Sequence, residues 1–218
     1  NNISEKESKK FHSSKSDSIH SFIEESSPDS RIIKDIPFYY QQLFVGKPNY
    51  HDELVIGRDQ EFHEFEIALR RHSQGIGGAI IISAEQGLGK SFFLHWVSKK
   101  LLSDNNIIFL EPLPKKSKET ASIEASLQKA TGLRKSIRNL VKDLPEKSVI
   151  MIDDLELWWR RTDDGYNEIK LINEIIANNK NILFVISSMP DILKLIKPAY
   201  INESSIQKII NLKPLNPE

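Results

Sequence analysis

Short apolar runs alternate along the chain with longer segments in which apolar residues recur every three or four positions. Runs such as "AIII" at 79–82 and "VIMI" at 149–152 have the character of strands buried on both faces of a parallel sheet. The periodic segments between them indicate amphipathic helices. The pattern predicts strands over 79–83, 107–110, 149–152, 182–186 and 206–212, and helices over 59–73, 91–102, 118–129, 133–143, 166–178 and 190–196. Such alternation predicts an α/β domain whose parallel sheet is covered by helices on both faces.

The first 35 residues lack this pattern and are rich in Ser, Lys, Glu and Asp. Because such a segment cannot bury enough apolar surface to fold alone, residues 1–35 are predicted to form a flexible polar arm. The domain is expected to occupy residues 36–218. Its first stretch, "IPFYYQQLF" at 36–44, is dense in aromatic residues. Two interpretations stay open for this stretch: packing on the domain core, or a pocket wall or partner contact.

Composition narrows the classes of function. The 218 residues include 30 basic and 30 acidic side chains, a net charge of zero that gives no support to non-specific nucleic-acid binding, although a local basic patch remains possible. The absence of cysteine fits a reducing interior, so a cytoplasmic location is expected. The longest apolar runs are far too short to cross a bilayer. Because the chain starts without Met and stops right after a strand-like segment, we expect a piece of a longer polypeptide.

The segment "AEQGLGKS" at 84–91 matches the phosphate-loop pattern G-x-x-x-x-G-K-[ST] at every fixed position but the first. In such loops backbone N–H groups surround the phosphates, the lysine reaches the β- and γ-phosphates, and the hydroxyl binds Mg²⁺. Ala84 removes none of these groups, and the turn remains allowed if Ala84 keeps a negative φ. The predicted nucleotide-binding residues are Glu85, Gln86, Gly87, Leu88, Gly89, Lys90, Ser91 and Phe92. The alternative is a plain strand–turn–helix connection.

A second pattern, "VIMIDD" at 149–154, ends an apolar strand in two carboxylates and is known as Walker B. At the carboxyl end of a strand, Asp153 can face Mg²⁺ while Asp154 orients or deprotonates the attacking water. Taken alone, the pattern also fits a strand that runs into a capped loop. Together with the glycine loop, at an interval that accommodates a helix, a strand, a helix and the return strand, it favours a nucleotide site. Ser91 and Asp153 are then the predicted Mg²⁺ ligands.

The strand predicted at 182–186 runs into Ser187 and Ser188. A small polar residue between the ends of the two motif strands would hydrogen-bond a γ-phosphate or its water. Capping of the helix that begins near Pro190 explains the two serines equally well.

The segments "VIGRDQEF", "AEQGLGKS", "MIDDLE", "VISSM" and "IINLKPL", in this order, resemble the AAA+ class of ATPases and, within it, the signal-transduction branch called STAND NTPases. The resemblance covers roughly residues 38–215. It implies a three-layer α/β P-loop NTPase fold with a five-stranded parallel sheet in the order 5-1-4-3-2. The implied cofactors are ATP or ADP and Mg²⁺.

The same resemblance implies roles for individual positions. The adenine pocket would be lined by Val55, Ile56 and Gly57, with Arg58 close to the nucleotide. The catalytic pair would be Lys90 and Asp154, the metal residue Asp153, and the γ-phosphate sensor Ser187 or Ser188.

The chain departs from the pattern of AAA+ motors in several places. Ala84 replaces the first loop glycine, and Asp154 stands where many motors have glutamate, which gives a shorter reach. The segment 196–208 contains no arginine to act on a neighbouring subunit's nucleotide, so hydrolysis activated in a ring is not expected. The class also has a helical lid after its last strand, and the chain stops at "NLKPLNPE", where that lid would begin.

Two adjacent tryptophans, Trp158 and Trp159, follow the carboxylates in "LELWWRR". Either both pack across the sheet edge, or one is exposed at an interface. In the second case Arg160 or Arg161 would contact a phosphate of a neighbouring molecule.

The leading hypothesis is an Mg-ATP-binding switch or assembly module of a larger protein, with slow hydrolysis and with self-association or a protein partner through the ATPase domain. The second is an active AAA+ motor or loader that acts on protein or nucleic acid. The third is a degenerate scaffold that binds no nucleotide, with Ala84 as its mark.

Overall fold

The computed structural model describes residues 57–110, 122–159, 165–200 and 205–215, without the side chains of 197–200. The predicted arm, the aromatic stretch at 36–44 and the adenine-pocket positions Val55 and Ile56 lie outside the described residues. Arg160 and Arg161 lie outside them as well.

Helices and strands alternate through the described part of the chain. The elements are α1 Asp59–Ser73, β1 Ala79–Ser83, α2 Lys90–Leu101, β2 Asn106–Leu110, α3 Ile123–Thr131, α4 Ile137–Lys142, β3 Ser148–Ile152, a 3₁₀ helix Leu155–Trp158, α5 Asn167–Asn178, β4 Leu183–Ser188, α6 Pro190–Tyr200 and β5 Ile206–Asn211. Among the described residues, no helix is both long enough and apolar enough to cross a bilayer.

Most of these bounds lie close to the predicted ones, and three helices differ. Helix α3 was predicted from 118 and begins at Ile123, because Ser122 is extended and its side chain accepts the Ala125 N–H; residues 118–121 lie outside the described residues. Helix α4 was predicted from 133 and begins at Ile137, because Gly132 ends α3 in the left-handed conformation and Ser136 is extended. Helix α6 was predicted to end at 196 and continues to Tyr200.

The five strands form one parallel sheet in the order β2-β3-β4-β1-β5. Read from β5, this is 5-1-4-3-2, which confirms the order implied by the resemblance. The registers place Ile81 of β1 beside Ile186 of β4 and Ile150 of β3 beside Phe184 of β4. The two strands that carry the predicted motifs, β1 and β3, therefore do not pair; β4 lies between them.

Alternate side chains of the sheet pack into two separate cores, one on each face. On one face Ile80 and Ile82 pack with residues of α1 and α2, including Phe65 and Phe93. On the other face Ala79, Ile81 and their neighbours pack with α3, α4, α5 and α6. The arrangement confirms a three-layer α/β fold. Full burial of an isoleucine contributes about 1.5–3 kcal/mol, so the interiors of β1, β3 and β4 consist of apolar residues and their polar side chains lie at the strand ends.

Candidate nucleotide-binding site

The polar residues of the three sequence patterns meet at the carboxyl ends of neighbouring strands. Strand β1 leads into the glycine loop, β3 leads into Asp153 and Asp154, and β4 ends in Ser187 and Ser188. Because β4 pairs with both β1 and β3, its serines lie between the loop and the carboxylates. This edge of a parallel sheet is where ligands bind in open α/β folds.

The glycine loop forms its turn with Ala84 in the first position. Gly87 and Gly89 have φ values of 82° and 85°, which only glycine adopts without strain. Outside glycine, the described residues have positive φ only at Lys147 and Asp154. Ala84 therefore keeps the negative φ at which its side chain is compatible with the turn. The Ala84 N–H donates to the carbonyl of Ser188 at 3.2 Å, and its methyl group is buried in the core. Ala84 therefore joins the loop to β4 and does not obstruct it.

Lys90 is a buried cation at the first position of α2. Its side chain is 7% exposed, and its ammonium donates to the Ala84 carbonyl at 3.3 Å. The next charged group is Glu156, whose carboxylate oxygen lies 4.0 Å from the Lys90 nitrogen. An ammonium has three N–H donors, so the described residues leave donor capacity at this position.

The solvent side of the loop is open. Glu85, Gln86, Gly87 and Gly89 are exposed, and a Cβ built on either glycine would meet nothing within 4 Å. No side chain caps the N-terminus of α2, whose first residues include Ser91. A helix N-terminus with an adjacent buried cation favours an anion at this place.

Ser187 organises the two carboxylate residues. Its hydroxyl is fully buried and donates to a carboxylate oxygen of Asp153, and it accepts the N–H of Asp154 at 2.8 Å. The Asp154 N–H is also 3.1 Å from the same Asp153 oxygen. Asp154 has φ 47° and ψ 70°, a left-handed conformation that Asp tolerates better than most residues. Among the described residues, the hydroxyl of Ser188 donates only to the carbonyl of Met189, at 3.3 Å. The two serines therefore differ, although the sequence treats them alike.

Asp154 lies in an electrostatically unfavourable place for a carboxylate. Burial raises the pKa of Asp154, and the negative charges of Asp153 and Glu156 raise it further. A hydrogen bond with the Glu156 side chain acts in the same direction, and Lys90 acts against it. Three acidic side chains around one lysine leave an excess of negative charge that a divalent cation would balance.

Glu156 belongs to the site and was not predicted from the sequence. One of its carboxylate oxygens accepts the N–H of Met189 at 3.3 Å, and the other faces Lys90. Glu156 is the second residue of the 3₁₀ helix Leu155–Trp158, which begins directly after Asp154 and so keeps Glu156 at the end of β3. In the sequence, the feature that pointed to this role was the presence of an acidic residue three positions after Asp153.

The two tryptophans after the carboxylates pack inward. Trp158 is fully buried, and its indole N–H donates to the carbonyl of Asp153 at 3.4 Å. Trp159 is half-buried against the same core and lies beside Tyr166, with ring centroids 5.6 Å apart. Both can do so because the 3₁₀ helix ends between them and Trp159 is extended. Packing, the first of the two interpretations, is thus confirmed for these side chains.

Arg58 lies beside the glycine loop, next to Gly57. Its guanidinium donates to the carbonyl of Leu88 at 3.1 Å, to the carbonyl of Lys213 at 2.7 Å and to Glu61 at 3.0 Å. The predicted nucleotide contact of Arg58 stays a prediction, as do the binding roles of Gly57, Gln86 and Phe92.

The residues present fit a bound Mg²⁺ and polyphosphate. In the described parts of the chain, no group of three or more His, Asp or Glu side chains could hold a metal by itself. Mg²⁺ in nucleotide sites usually has one or two carboxylate ligands, with phosphate oxygens and waters completing its shell. Ser91, at the start of α2, and Asp153, at the end of β3, supply ligands of this kind.

Comparison with known proteins extends the fold assignment. No family model and no curated protein matches the chain. Among solved structures, the chain is similar to the ORC1 protein of Aeropyrum pernix in complex with DNA, with 15% identity over 78% of this chain and 48% of that one and a TM-score of 0.59. A Walker-type ATPase of Pyrococcus abyssi has 16% identity over 80% of this chain and 58% of that one, with a TM-score of 0.56.

The Cdc6p structure of Pyrobaculum aerophilum is similar as well, with 13% identity, coverage of 78% of this chain and 48% of that one, and a TM-score of 0.55. The chain spans only about half the length of these structures. These likenesses concern the fold, which is the three-layer P-loop ATPase fold of ORC1- and Cdc6-type proteins.

Proposed function

We propose that the domain binds Mg-ATP at the carboxyl edge of β1, β4 and β3 and acts as a nucleotide-dependent switch or assembly module of a larger protein. The observation that supports this most directly is the buried Lys90 ammonium, which has a single hydrogen-bond acceptor among the described residues and lies at the base of an exposed glycine loop. A buried ammonium with unpaired N–H donors lowers the stability of the fold unless an anion accepts their hydrogen bonds.

The proposal gives each side chain a separate task. Lys90 and the N–H groups of the loop would hold the phosphates. Ser91 and Asp153 would hold Mg²⁺, which when bound neutralises phosphate charge and fixes the phosphate geometry. Asp154 would orient the attacking water, and Ser187 would keep Asp153 and Asp154 in place through its hydroxyl.

Slow hydrolysis is part of the proposal. The side chain of Asp154 is shorter than the glutamate that many motors have at this position, which gives it a shorter reach toward the attacking water. The segment 196–208 offers no arginine to stabilise the transferred phosphoryl group of a neighbour. A slow site retains its nucleotide long enough for the bound state to signal to partners. Self-association or a protein partner, and a cytoplasmic location, belong to the same proposal.

Calorimetry with ATP and ADP in the presence of Mg²⁺ tests it. The chain should bind at micromolar concentration, and Lys90→Ala should weaken binding roughly 10- to 100-fold, because hydrogen bonds to a charged group contribute about 1.5–3 kcal/mol. The matched control is Lys194→Ala, which removes an exposed lysine that forms an ion pair with Asp191 on α6. Equal binding by the chain and Lys90→Ala would contradict the proposed loop. Absence of binding in all three proteins would favour the scaffold hypothesis.

A motor or loader on nucleic acid is the second candidate. It is supported by the likeness to two structures described as bound to DNA, those of Aeropyrum pernix ORC1 and of Drosophila ORC, the latter with a TM-score of 0.51. The net charge of zero gives it no further support. An ATPase rate that rises severalfold with duplex DNA, at low salt and at 150 mM salt alike, would favour it over the switch.

A further inference from the structure

The side chain of Arg58 connects three segments that are distant in sequence. It donates to Leu88 in the glycine loop, to Lys213 just after β5, and to Glu61 in the first turn of α1. The Arg58 side chain is 11% exposed. Two of its three acceptors are backbone carbonyls, so the guanidinium is sensitive to the path of the backbone in the loop and in the chain that leaves β5.

Two further contacts, independent of the Arg58 side chain, hold the segment that follows β5. Gly57 has φ 69°, and a Cβ built on it would lie 3.2 Å from a methyl carbon of Leu215. The Leu212 N–H donates to the carbonyl of Ser83, the last residue of β1, at 2.9 Å. The segment 212–215 therefore lies against the end of β1 on one side and against Gly57 and Arg58 on the other.

We infer that Arg58 is a positioning residue that couples nucleotide occupancy of the glycine loop to the order of the chain leaving β5. The inference rests on the proposed nucleotide site. The Leu88 carbonyl can accept from the guanidinium only while the loop keeps this shape. Phosphates held by the loop N–H groups stabilise the same shape, so they strengthen the contact between Arg58 and Leu88. Arg58 then stays in place to hold Lys213.

Coupling of this kind is reciprocal and depends on arginine. If nucleotide orders residues 212–215, then order in those residues raises nucleotide affinity by the same factor. Lysine cannot replace the guanidinium, because its single ammonium does not present the planar fork of donors that reaches two carbonyls and a carboxylate at once. Glu61 forms an ion pair with the guanidinium at 3.0 Å and compensates its charge, which weakens the attraction of Arg58 for phosphate.

The Leu212 amide reports on the order of the segment that follows β5. Its hydrogen exchange can be followed by NMR in the 218-residue chain, with and without saturating Mg-ATP. Coupling of the usual size would slow that exchange roughly 5- to 150-fold when nucleotide binds. Arg58→Lys and Arg58→Ala should lose most of this slowing. Arg138→Ala is the matched control, since Arg138 forms an exposed ion pair with Glu174 on the opposite face of the sheet, and it should behave as the unaltered chain does.

Calorimetry on the same samples distinguishes a failure of this inference from a failure of the proposed nucleotide site. Nucleotide binding without any change at Leu212 in the unaltered chain would overturn the inference and leave the proposed function standing. Full slowing in Arg58→Lys at saturating nucleotide, with only a weaker affinity, would identify Arg58 as a direct ligand and would also overturn it. If the unaltered chain binds no nucleotide, both proposals fall. If Arg58→Ala does not fold, the Leu212 exchange measured in Arg58→Lys tests the inference by itself.

Discussion

The hydroxyl of Ser187 donates to the carboxylate of Asp153, and through this bond the end of β4 fixes the end of β3. The same hydroxyl accepts the N–H of Asp154. One buried side chain thus holds the proposed metal ligand and the left-handed backbone of the proposed catalytic residue. A substitution at Ser187 should therefore alter the positions of both Asp153 and Asp154.

Ser187→Ala should lower the stability of the chain by about 1–2 kcal/mol, because a half-buried carboxylate oxygen loses its donor. It should also lower ATP turnover more than ATP affinity, because Asp154 loses its anchor while Lys90 is untouched. Urea unfolding, calorimetry and steady-state ATPase assays measure these effects. Ser188→Ala is the control, since the Ser188 hydroxyl donates to the adjacent Met189 carbonyl and to no carboxylate of the described residues. Equal effects of the two changes would refute the separate role of Ser187.

Asp154→Asn should stabilise the nucleotide-free chain at neutral pH. An acid whose pKa is raised by folding contributes most to stability below its ordinary pKa of 3.8, and this contribution is lost as the pH rises through the folded-state pKa. The variant should therefore be more stable near pH 7 and equal to the unaltered chain near pH 3. Water screens a half-exposed carboxyl, so the gain should be at most about 1 kcal/mol. Asparagine tolerates the left-handed backbone as well as aspartate does.

Urea unfolding from pH 3 to pH 8 in Mg²⁺-free buffer measures this difference. Asp191→Asn removes an exposed carboxylate and serves as control. A gain that persists unchanged at pH 3 would mean that the charge of Asp154 is not its source.

Ala84→Gly restores the phosphate-loop pattern, yet it should not improve binding. The Ala84 methyl group is buried and its φ is not positive, so glycine adds backbone freedom to the unfolded chain and removes packing. We expect a loss of about 1–2 kcal/mol in the free energy of unfolding and a change in ATP affinity below about twofold. Thermal unfolding and calorimetry test both. A tenfold gain in affinity would show that the alanine restricts the loop.

Glu156→Gln should raise the affinity for Mg-ATP, because the Glu156 carboxylate faces Lys90 at 4.0 Å. Glutamine keeps the shape and can still accept the Met189 N–H while removing the charge that competes with phosphate. A partly solvated ion pair is worth up to about 1 kcal/mol, which corresponds to roughly fivefold in affinity. Glu174→Gln, at an exposed ion pair with Arg138, is the control for calorimetry. Weaker binding in Glu156→Gln would indicate that Glu156 helps to hold the nucleotide complex.

The elements and the site were predictable to different extents. Strands β1, β3 and β4 could be predicted because their interiors are apolar without interruption, and the motif residues because they lie at or directly after the ends of these strands. The position of β4 between β1 and β3 was implied only by the family resemblance, since apolar runs such as "AIII" and "VIMI" carry no information about which strands pair. The partners of Arg58 could not be predicted at all. They are the carbonyls of Leu88 and Lys213, and every residue has a carbonyl whatever its side chain.

The intervening strand β4 also sets the width of the site. Neighbouring strands lie about 4.8 Å apart, so the axes of β1 and β3 are roughly 9–10 Å apart. That separation comes from backbone hydrogen bonding and is the same for any side chains on β4. Lys90 and Asp153 stand on its two sides, one suited to an anion and the other to a cation. A ligand that contacts both must therefore offer an anionic group to the one and a cation to the other, which is the charge pattern of a phosphate chain with its metal.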